Sequence, residues 1–460
     1  MPPHLALFVY IIFIFGLLWV DCRRDIPVSP GLWVPTIWLT IIGSRPLSLW
    51  FTSAPVSAHE AQLEGSPIER LVYLTLIFAG LFILSRRKEG FSILGLVSAN
   101  KAIFVLLAYF ALSLLWSEFP FVAFKRYVKT LGMLIMILII LSEVDPELAL
   151  RTSIRRCGFV LLPLSLMLAK YFPSIGVSYD IWTGVPSLTG VAITKNMLGQ
   201  ICMLFGLVYL WSLVLEWKQE RFSKYSRLVL AIDTYMLLLT INLLLKSNSA
   251  TSLVCLLFGS AILLGTRYDF VRKKTGFFII AGLLTFLFLS WFSDIIPGMV
   301  QSLGRDTTLT GRTGIWQRLL PMAKQNLWFG KGYNMFWTPK ILDMMQVNEA
   351  HNGYLEIVLN TGLVGLFLFF LFILSAYGRC KQAIISNPRF GRFAMSLFWT
   401  SLLYNISESA FRGIDMVYML FLAISFRLSE TEKEYGVYGC GVPALYYSTA
   451  RREAHPQDHG

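Results

Sequence analysis

The sequence has little charge: 15% of its 460 residues are Asp, Glu, Lys or Arg, whereas 55% are hydrophobic and the mean hydropathy is +0.61. A soluble protein of this length needs far more charge to cover its surface, so the composition excludes a soluble globular class. A membrane β-barrel would need alternating segments of about ten residues, and here the apolar runs are continuous. Because backbone groups in lipid must be satisfied within their own segment, we predict an all-α polytopic membrane protein.

Cysteine and histidine are also scarce, with six and five residues. The five histidines are scattered along the chain, which argues against a Cys/His metal site. No cysteine falls in a predicted outer loop, so no disulfide framework is expected. The cysteines are predicted on or near the inner side (Cys22, Cys157, Cys380, Cys440) or within spans (Cys202, Cys255). The N-terminus lacks a basic n-region, so no cleavable signal peptide is expected.

What the chain does contain is a series of apolar runs, which predict about 12 to 13 transmembrane helices. We place them at 5–20, 32–42, 71–85, 102–116, 130–141, 158–172, 198–215, 228–245, 250–266, 277–296, 353–377, 393–406 and 416–428. With thirteen spans, the basic connectors 86–88, 151–156, 218–227, 267–274 and 379–392 all fall on one side. The positive-inside bias makes that side cytoplasmic. Basic cytoplasmic connectors also explain the net charge of +13, so this charge does not require a nucleic-acid partner.

The same topology places the connectors 44–70, 117–129, 173–196, 297–352 and 407–414 outside. Residues 1–428 then form a single polytopic membrane domain, in which 297–352 is one large extracytoplasmic loop. Residues 429–460 are predicted to be a polar, mobile cytoplasmic tail.

The large loop carries Arg305, Arg312, Arg318 and His351. From Arg312 onwards, helical spacing predicts an amphipathic helix that lies in the membrane interface with its apolar side down. The residues on that apolar side are Ile315, Trp316, Leu319, Leu320 and Ala323. Arg312 projects from the same side and Arg318 does not. Two interpretations of Arg312 stay open: it binds a phosphate bidentately, or it snorkels to ordinary headgroups.

His351 and Asn352 directly precede the span that starts at Gly353. A helix N-terminus at the outer face favours an anion, and a histidine there can accept a proton near neutral pH. The alternative is that Asn352 is simply an N-cap and His351 an interfacial side chain. Glu356 lies just inside the bilayer on the face of Asn352, where it is a functional candidate or a residue paired with another charge.

Further cations lie on the predicted outer side. Lys195, followed by Asn196, stands at the start of another span. Lys125 and Arg126 form a basic pair against the positive-inside trend, with interfacial anchoring as the alternative function. Asp233 and Lys246, in or beside the eighth span, suggest an ion path, but no chain of carboxylates accompanies them.

Several short motifs occur in order along the chain: Gly43–Arg45, Leu115–Ser117 with Lys125–Arg126, Thr194–Asn196, Gly311–Thr313 with Trp316, Gly330–Tyr333, Glu349–Glu356, Gly362 and Asn405–Glu408. This set resembles the O-antigen ligase and polymerase superfamily. The resemblance covers about 23–428 and is closest to the exopolysaccharide-production (ExoQ-type) branch.

This resemblance implies a bacterial inner-membrane glycosyl transferase that uses glycans linked to undecaprenyl diphosphate, without a cofactor, metal or nucleotide sugar. It also implies that outer-face arginines hold the diphosphate and that a loop histidine assists the acceptor hydroxyl. Arg312 and His351 match those positions, Lys195 stands where many ligases have Arg, and Arg305 is a further candidate contact.

We therefore predict a polymerase that joins lipid-linked oligosaccharide repeats at the periplasmic face in exopolysaccharide biosynthesis. The alternatives are an O-antigen ligase with lipid A–core as acceptor, a flippase for the same glycan, and a scaffold. The expected partners are the lipid-linked oligosaccharide, membrane lipids and a chain-length regulator.

Overall fold

The computed structural model describes residues 2–23, 26–51, 65–87, 92–179, 184–216, 224–277 and 312–427. These residues are almost entirely helical, which confirms the all-α class. The helices are α1 (Pro3–Cys22), α2 (Trp33–Ile42), α3 (Ser48–Phe51), α4 (Pro67–Arg86), α5 (Ile93–Ala99), α6 (Lys101–Leu112), α7 (Pro120–Leu141), α8 (Pro146–Tyr171), α9 (Pro173–Gly176), α10 (Lys195–Glu216), α11 (Lys224–Ser247), α12 (Ala250–Gly265), α13 (Asp269–Lys273), α14 (Arg312–Gln325), α15 (Pro339–Met345), α16 (Gly353–Ser386), α17 (Pro388–Ser407) and α18 (Met416–Ser425).

Two short strands interrupt the helical pattern. Strand β1 (Val177–Tyr179) pairs antiparallel with β2 (Pro186–Leu188), with Ser178 opposite Ser187. This hairpin lies in the connector between α9 and α10, just before the sequence that leads to Lys195.

Among the residues that the structure describes, six helices are long and apolar enough to cross a bilayer: α1, α4, α8, α10, α11 and α16. Shorter apolar segments occur at Pro30–Ile42, Lys101–Trp116, Ala250–Gly265 and Met416–Ser425. The chain is thus a multi-pass membrane protein, while the count of 12 to 13 spans stays a prediction. The predicted span at 277–296 and the tail at 429–460 lie almost wholly outside the described residues.

The apolar runs become helices with clear starts. Asp145 caps α8 by accepting a hydrogen bond from the amide of Leu148 at 3.0 Å, and Pro146 occupies the first position. Helices α8 and α10 are mostly buried within the protein, whereas α1 and α4 expose large apolar side chains such as Phe15 and Phe78. This contrast fits central helices surrounded by helices that face lipid.

Contacts between connectors group the predicted outer segments at one end of the helices. Arg45 donates to the carbonyl oxygens of Ile175 and Ala192 at 2.8 and 3.0 Å, which joins the first and third outer connectors. Arg126 donates to the carbonyl oxygen of Asn334, which joins the second outer connector to the large loop. The predicted grouping of these connectors is therefore present in the fold, and the membrane face they occupy stays a prediction.

At the opposite end, Arg87 at the close of α4 pairs with Glu143 at 2.5 Å. Glu143 also accepts a hydrogen bond from the amide of Ser29 at 2.8 Å. These contacts tie together the connectors predicted to lie inside.

The structure corrects the interpretation of Arg155 and Arg156 as part of a basic connector. Helix α8 starts at Pro146, so both arginines lie within it and are almost fully buried. Arg155 pairs with Asp21 at 3.2 Å and with Asp233 at 2.7 Å, and Arg156 pairs with Asp21 at 2.8 Å. We call these four residues the inner ion cluster, which links α1, α8 and α11.

The described part of the large loop, residues 312–352, folds as a small cap with its own apolar core. Leu319 and Ala323 of α14 pack in this core with Phe336 and other loop residues. Leu320, which was predicted on the same face, is 49% exposed. Helix α14 therefore packs part of its apolar side on protein, and its position in the lipid interface stays a prediction.

The cap is attached to a break in α16. Gly362 has a left-handed backbone (φ 68°) inside that helix, and a Cβ there would lie 2.1 Å from a carbonyl oxygen of the loop. Beside the break, the amide of Lys331 donates to the carbonyl of Leu359 at 3.1 Å, and the amide of Gly332 to that of Asn360 at 2.8 Å. The glycine motifs of the loop and of α16 thus form one backbone junction.

Candidate active site

Three segments bring a carboxylate, a guanidinium and an imidazole together at the cap. Arg312, the first residue of α14, donates to Oε1 of Glu408, which follows the last residue of α17. The Nδ1 atom of His351 lies 3.3 Å from Oε2 of the same carboxylate. We call Arg312, His351, Glu408 and the neighbouring Glu349 the outer cluster. It unites the two residues that the motifs selected, Arg312 and His351.

The segment that carries His351 is held from both sides. The amide of Ala350 donates to Oε1 of Glu356 at 2.7 Å, and its carbonyl accepts a hydrogen bond from the Trp316 indole at 2.8 Å. His351 itself has a positive φ of 48°, a conformation that costs energy for a residue with a Cβ. These two bonds fix the backbone next to the histidine and so fix the direction in which its ring is presented.

Helix α16 starts in a way that only glycine permits. Asn352 caps the helix by accepting a hydrogen bond from the amide of Leu355 at 2.9 Å, as its position predicted. A Cβ at Gly353 would lie 1.8 Å from the Asn405 side chain. The amide of Gly353 instead donates to the backbone carbonyl of Glu408 at 3.1 Å, so the helix start and the Glu408 connector are joined directly.

Glu356 is 1% exposed and is bound within the protein. It accepts hydrogen bonds from the Trp337 indole at 2.9 Å and from the Asn360 amide at 3.3 Å, in addition to that of Ala350. Arg412 lies 3.5 Å from it. Of the two interpretations of Glu356, pairing is the one found, and its bond to Ala350 makes it a residue that positions His351.

The charges of the cluster set the proton affinity of His351. Burial lowers its pKa, but the hydrogen bond to Glu408 and the negative charges of Glu349 and Glu408 have the larger combined effect and raise the pKa above its usual value. Burial has the opposite effect on Glu349, because it disfavours the charged carboxylate and so raises the pKa. The side chain of His351 is 25% exposed, so its ring remains accessible to a substrate.

The loop is less cationic than its sequence indicated. Arg312 is matched by Glu408, and Glu349 lies 3.2 Å from His351, so carboxylates balance the positive groups. A guanidinium has five donors, however, and one bond to Glu408 leaves others that can reach a phosphate. The outer cluster therefore combines an anion-binding group with a proton acceptor.

Glu349, His351 and Glu408 could in principle hold a metal ion. Each offers one ligand atom, and these atoms lie within 4.8 Å of one another. Arg312 already binds one oxygen of Glu408, so a cation would have to share that carboxylate with a guanidinium. A cation at this place would therefore compete with the guanidinium, and the metal-free chemistry implied by the motifs stays a prediction.

Lys195 is the first residue of α10, and within the described residues it makes no hydrogen bond or ion pair with the outer cluster. Its neighbour Asn196 lies closer to the outer cluster. The backbone carbonyl of Asn196 accepts a hydrogen bond from Tyr404 of α17 at 3.5 Å, and its side chain accepts a hydrogen bond from Ser249 at 3.4 Å. Because Tyr404 is one helical turn before Glu408, the start of α10 borders the cluster without being joined to it.

The remaining predicted cations have separate places. Arg126 binds the large loop through Asn334, and Lys125 lies 5.3 Å from the ring centroid of Phe121. Arg305 lies outside the described residues. Arg318 is exposed on α14, away from the cluster, as predicted.

Sequence reasoning gave no role to Glu408, Arg412 or Trp337. Glu408 and Arg412 lie in the connector 407–414, which the topology predicted on the same side as the large loop. Two opposite charges in so short an outer connector were the available signal. Their partners lie far away in sequence, so only the packing of α16 against α17 identifies them.

Comparison with known proteins relates the part of the chain that carries the site to a family. A model of the O-antigen ligase family matches residues 234–370, which include Arg312, His351 and Glu356. This part of the chain is similar to the O-antigen ligases. The resemblance drawn from the motifs is thereby confirmed.

A curated relative extends the similarity beyond that domain. The exopolysaccharide production protein ExoQ of Rhizobium meliloti (strain 1021) is 25% identical over 313 residues, which are 65% of this chain and 69% of the relative. The chain is thus similar both to the O-antigen ligase family, over residues 234–370, and to a protein of exopolysaccharide production. Glu408 and Lys195 fall outside the residues that the family model matches.

Proposed function

We propose that this protein is a metal-independent polysaccharide polymerase of the bacterial inner membrane. It would join oligosaccharide repeat units carried on undecaprenyl diphosphate, at the periplasmic face, in exopolysaccharide biosynthesis. The observation that supports this most directly is the Glu408 carboxylate, which contacts both Arg312 and His351. An anion-binding group and a proton acceptor at one partly open place are what such a transfer needs.

In the proposed reaction, a hydroxyl oxygen of the acceptor sugar attacks the anomeric carbon of the donor. The new glycosidic bond forms as the bond from that carbon to the diphosphate oxygen breaks. The electron pair leaves with the lipid diphosphate, and Arg312 stabilises the charge that accumulates there, with Lys195 and Arg305 as further contacts. The hydroxyl proton passes to Nε2 of His351, which then releases it to water.

Glu408 and Glu356 have positioning roles in this scheme. Glu408 holds Nδ1 of His351, so the opposite ring nitrogen is the one presented to the acceptor. Glu356 fixes the Ala350 amide beside it. A base that is held in this way is preorganised, so it loses little orientational freedom when the acceptor binds.

The test is reconstitution of the purified protein in liposomes with one defined undecaprenyl-diphosphate repeat, followed by gel analysis for a ladder of products. We expect a ladder with the wild-type protein and with Arg318→Ala, and greatly reduced product with Arg312→Ala and His351→Ala. Wild-type rates for the last two variants would contradict the assignment of the site.

An O-antigen ligase is the second candidate, because the matching family model carries that description. The two reactions share the donor and differ in the acceptor. Supplying one donor with either a lipid-linked repeat or lipid A–core separates them: product on lipid A–core alone would replace the polymerase with a ligase. Translocation of a labelled glycolipid with no new bond would favour a flippase over both.

The proposed orientation has its own test. Cysteines introduced at Gly311 and at Lys340 should react with an impermeant maleimide added from the periplasmic side of spheroplasts. Labelling of both positions from the cytosolic side alone would place the outer cluster on the wrong face for a periplasmic donor.

A further inference from the structure

A cleft opens next to the His351 segment, between the cap and the connector that follows α17. Its lining includes Phe110, Tyr333, Asn334, Asn360, Phe411 and Arg412. Glu356 also lines it, and the same carboxylate binds the amide of Ala350. The cleft is therefore separated from the histidine segment by a single side chain.

The floor and rim of the cleft differ in chemistry. Phe110 and Tyr333 stack at 4.6 Å between ring centroids and form an almost fully buried floor with Phe411. Asn334 and Arg412 are partly accessible at the rim. An apolar floor with a few polar groups at its edge is the usual composition of a small-molecule site, and it suits a sugar ring with its hydroxyl groups.

Two segments approach Asn334 at the rim. Arg126 donates to its backbone carbonyl, while a Cβ at Gly413, next to Arg412, would lie 3.0 Å from its side-chain amide nitrogen. Arg126 lies in the polar first turns of α7, before the predicted apolar span. Its burial and the positive charge of Arg412 lower its pKa to about 10.

The nearest carboxylate, Glu356, pairs with Arg412 at the long end of the hydrogen-bond range and balances only part of this positive charge. Glu356 is 3.5 Å from Arg412, beyond the range of a strong charged hydrogen bond, and it accepts shorter bonds from Trp337 and Ala350. Arg412 instead donates to the carbonyl oxygen of Asn348 at 2.7 Å, with its side chain 24% exposed. An anion at this rim would gain charged hydrogen bonds and relieve the repulsion between the two arginines.

We propose that this cleft is a subsite for the acceptor glycan, in which Arg412, supported by Arg126, binds an anionic group carried by one of its sugars. This inference rests on the proposed transferase function. A carboxylate-bearing sugar is the ligand class. The donor diphosphate has similar chemistry, but Arg312 contacts Glu408 whereas Arg412 contacts Glu356, so the two arginines offer separate contacts for the donor and the acceptor.

The experiment compares two synthetic lipid-linked acceptors that differ only in a terminal glucuronic acid or glucose. We expect the ratio of kcat/KM for the acidic over the neutral acceptor to fall about 10- to 100-fold in Arg412→Gln, through the KM of the acceptor. Arg412→Lys should recover part of this preference. The matched control, Arg318→Gln, removes an exposed arginine of the same cap and should leave the ratio unchanged.

Two results would overturn the inference. An equal loss on both acceptors would show that Arg412 only supports the cap. A rise in the KM of the donor, with the acceptor ratio unchanged, would assign the anion to the diphosphate.

A separate binding measurement tests this subsite independently of the proposed reaction. If the wild-type protein forms no product with either acceptor, the transferase function fails. Binding of a free glucuronate-terminated oligosaccharide to the protein in nanodiscs, by isothermal titration calorimetry, then tests the cleft alone. Weaker binding by Arg412→Gln than by Arg318→Gln supports the subsite, and equal binding contradicts it.

Discussion

The inner ion cluster and the outer cluster both pair arginine with carboxylates, but they differ in their access to solvent. In the inner cluster two arginines meet two aspartates, and every side chain is at most 4% exposed. In the outer cluster Arg312 and Glu408 are almost as buried, but His351 and Glu349 are 25% and 30% exposed. Charge inside a membrane protein therefore does not by itself indicate function. The proposed function rests instead on an accessible proton acceptor that lies beside a guanidinium.

Access also changes what each cluster contributes. The inner cluster has balanced charges and joins three helices, which makes it a structural connection between α1, α8 and α11. It offers no route for a glycan, so the buried charges of this chain do not favour a flippase. The outer cluster joins the cap to α16 and α17 and still presents an imidazole ring. The following predictions test this division, from the largest expected effect to the smallest.

Removing a charge from the inner cluster should mainly reduce stability. Asp233→Ala leaves Arg155 with one of its two partners, and breaking a buried ion pair from one side typically costs about 3–5 kcal/mol. We expect a lower thermal midpoint in detergent, with normal activity per folded molecule.

The matched control is Asp269→Ala, which breaks a pair with Arg272 in which the aspartate is 75% exposed. Its effect should stay below about 1 kcal/mol. Equal losses from Asp233→Ala and Asp269→Ala would mean that the inner cluster has no special structural role.

Removing the guanidinium from the outer cluster should mainly reduce the rate. Arg312→Ala is expected to lower kcat by about 10²–10³, or roughly 3–4 kcal/mol, because one preorganised contact to the leaving group is lost. Arg312→Lys, which keeps the charge but not the planar fork, should recover part of the activity. A large fall in thermal midpoint with normal kcat would instead give this arginine the structural role of the inner pairs.

Replacing the shared carboxylate should change the pH dependence. Glu408 raises the pKa of His351, and a general base is active only when it is unprotonated, so activity should increase as the pH rises through that raised pKa. In Glu408→Gln the acidic limb of the kcat/KM profile should move to lower pH, with a rate loss of about tenfold. An acidic limb at the same pH in both proteins would separate His351 from the rate-determining proton transfer.

Chelation should have the smallest effect. Incubation with EDTA, followed by assay in metal-free buffer, is expected to leave the polymerisation rate unchanged, because Arg312 occupies the Glu408 carboxylate that a cation would need. Loss of activity on chelation, with recovery on adding a divalent cation, would indicate a metal site formed by Glu349, His351 and Glu408.

The class of fold was readable from the sequence because it depends on local chemistry. Continuous apolar runs can satisfy their backbone in lipid only as helices, and α1, α4, α10, α11 and α16 follow the predicted runs closely. The Asn352 cap was also predictable, since a cap bonds an amide only three residues away. Arg312 and His351 were selected from motifs and helix positions before any contact was known.

Several features of the site escaped sequence reasoning because they depend on partners far apart in the chain. Arg155 sits in a basic stretch that is typical of a cytoplasmic connector, yet it is buried because aspartates from two other helices meet it. Leu320 follows the helical pattern of an apolar face, but the cap packs on Leu319. Glu408 gains its importance only where α17 ends next to α16.

The sequence by itself determined that this chain is a helical membrane protein with a charged loop at one end of its helices, and that it resembles the O-antigen ligases. Hydropathy and short-range motifs carry that information. Only the tertiary structure decided which charges are matched within the bundle and which surround an accessible histidine. The reason is that the energy of a charge depends on its distance to other charges and to water, and both distances are set by packing.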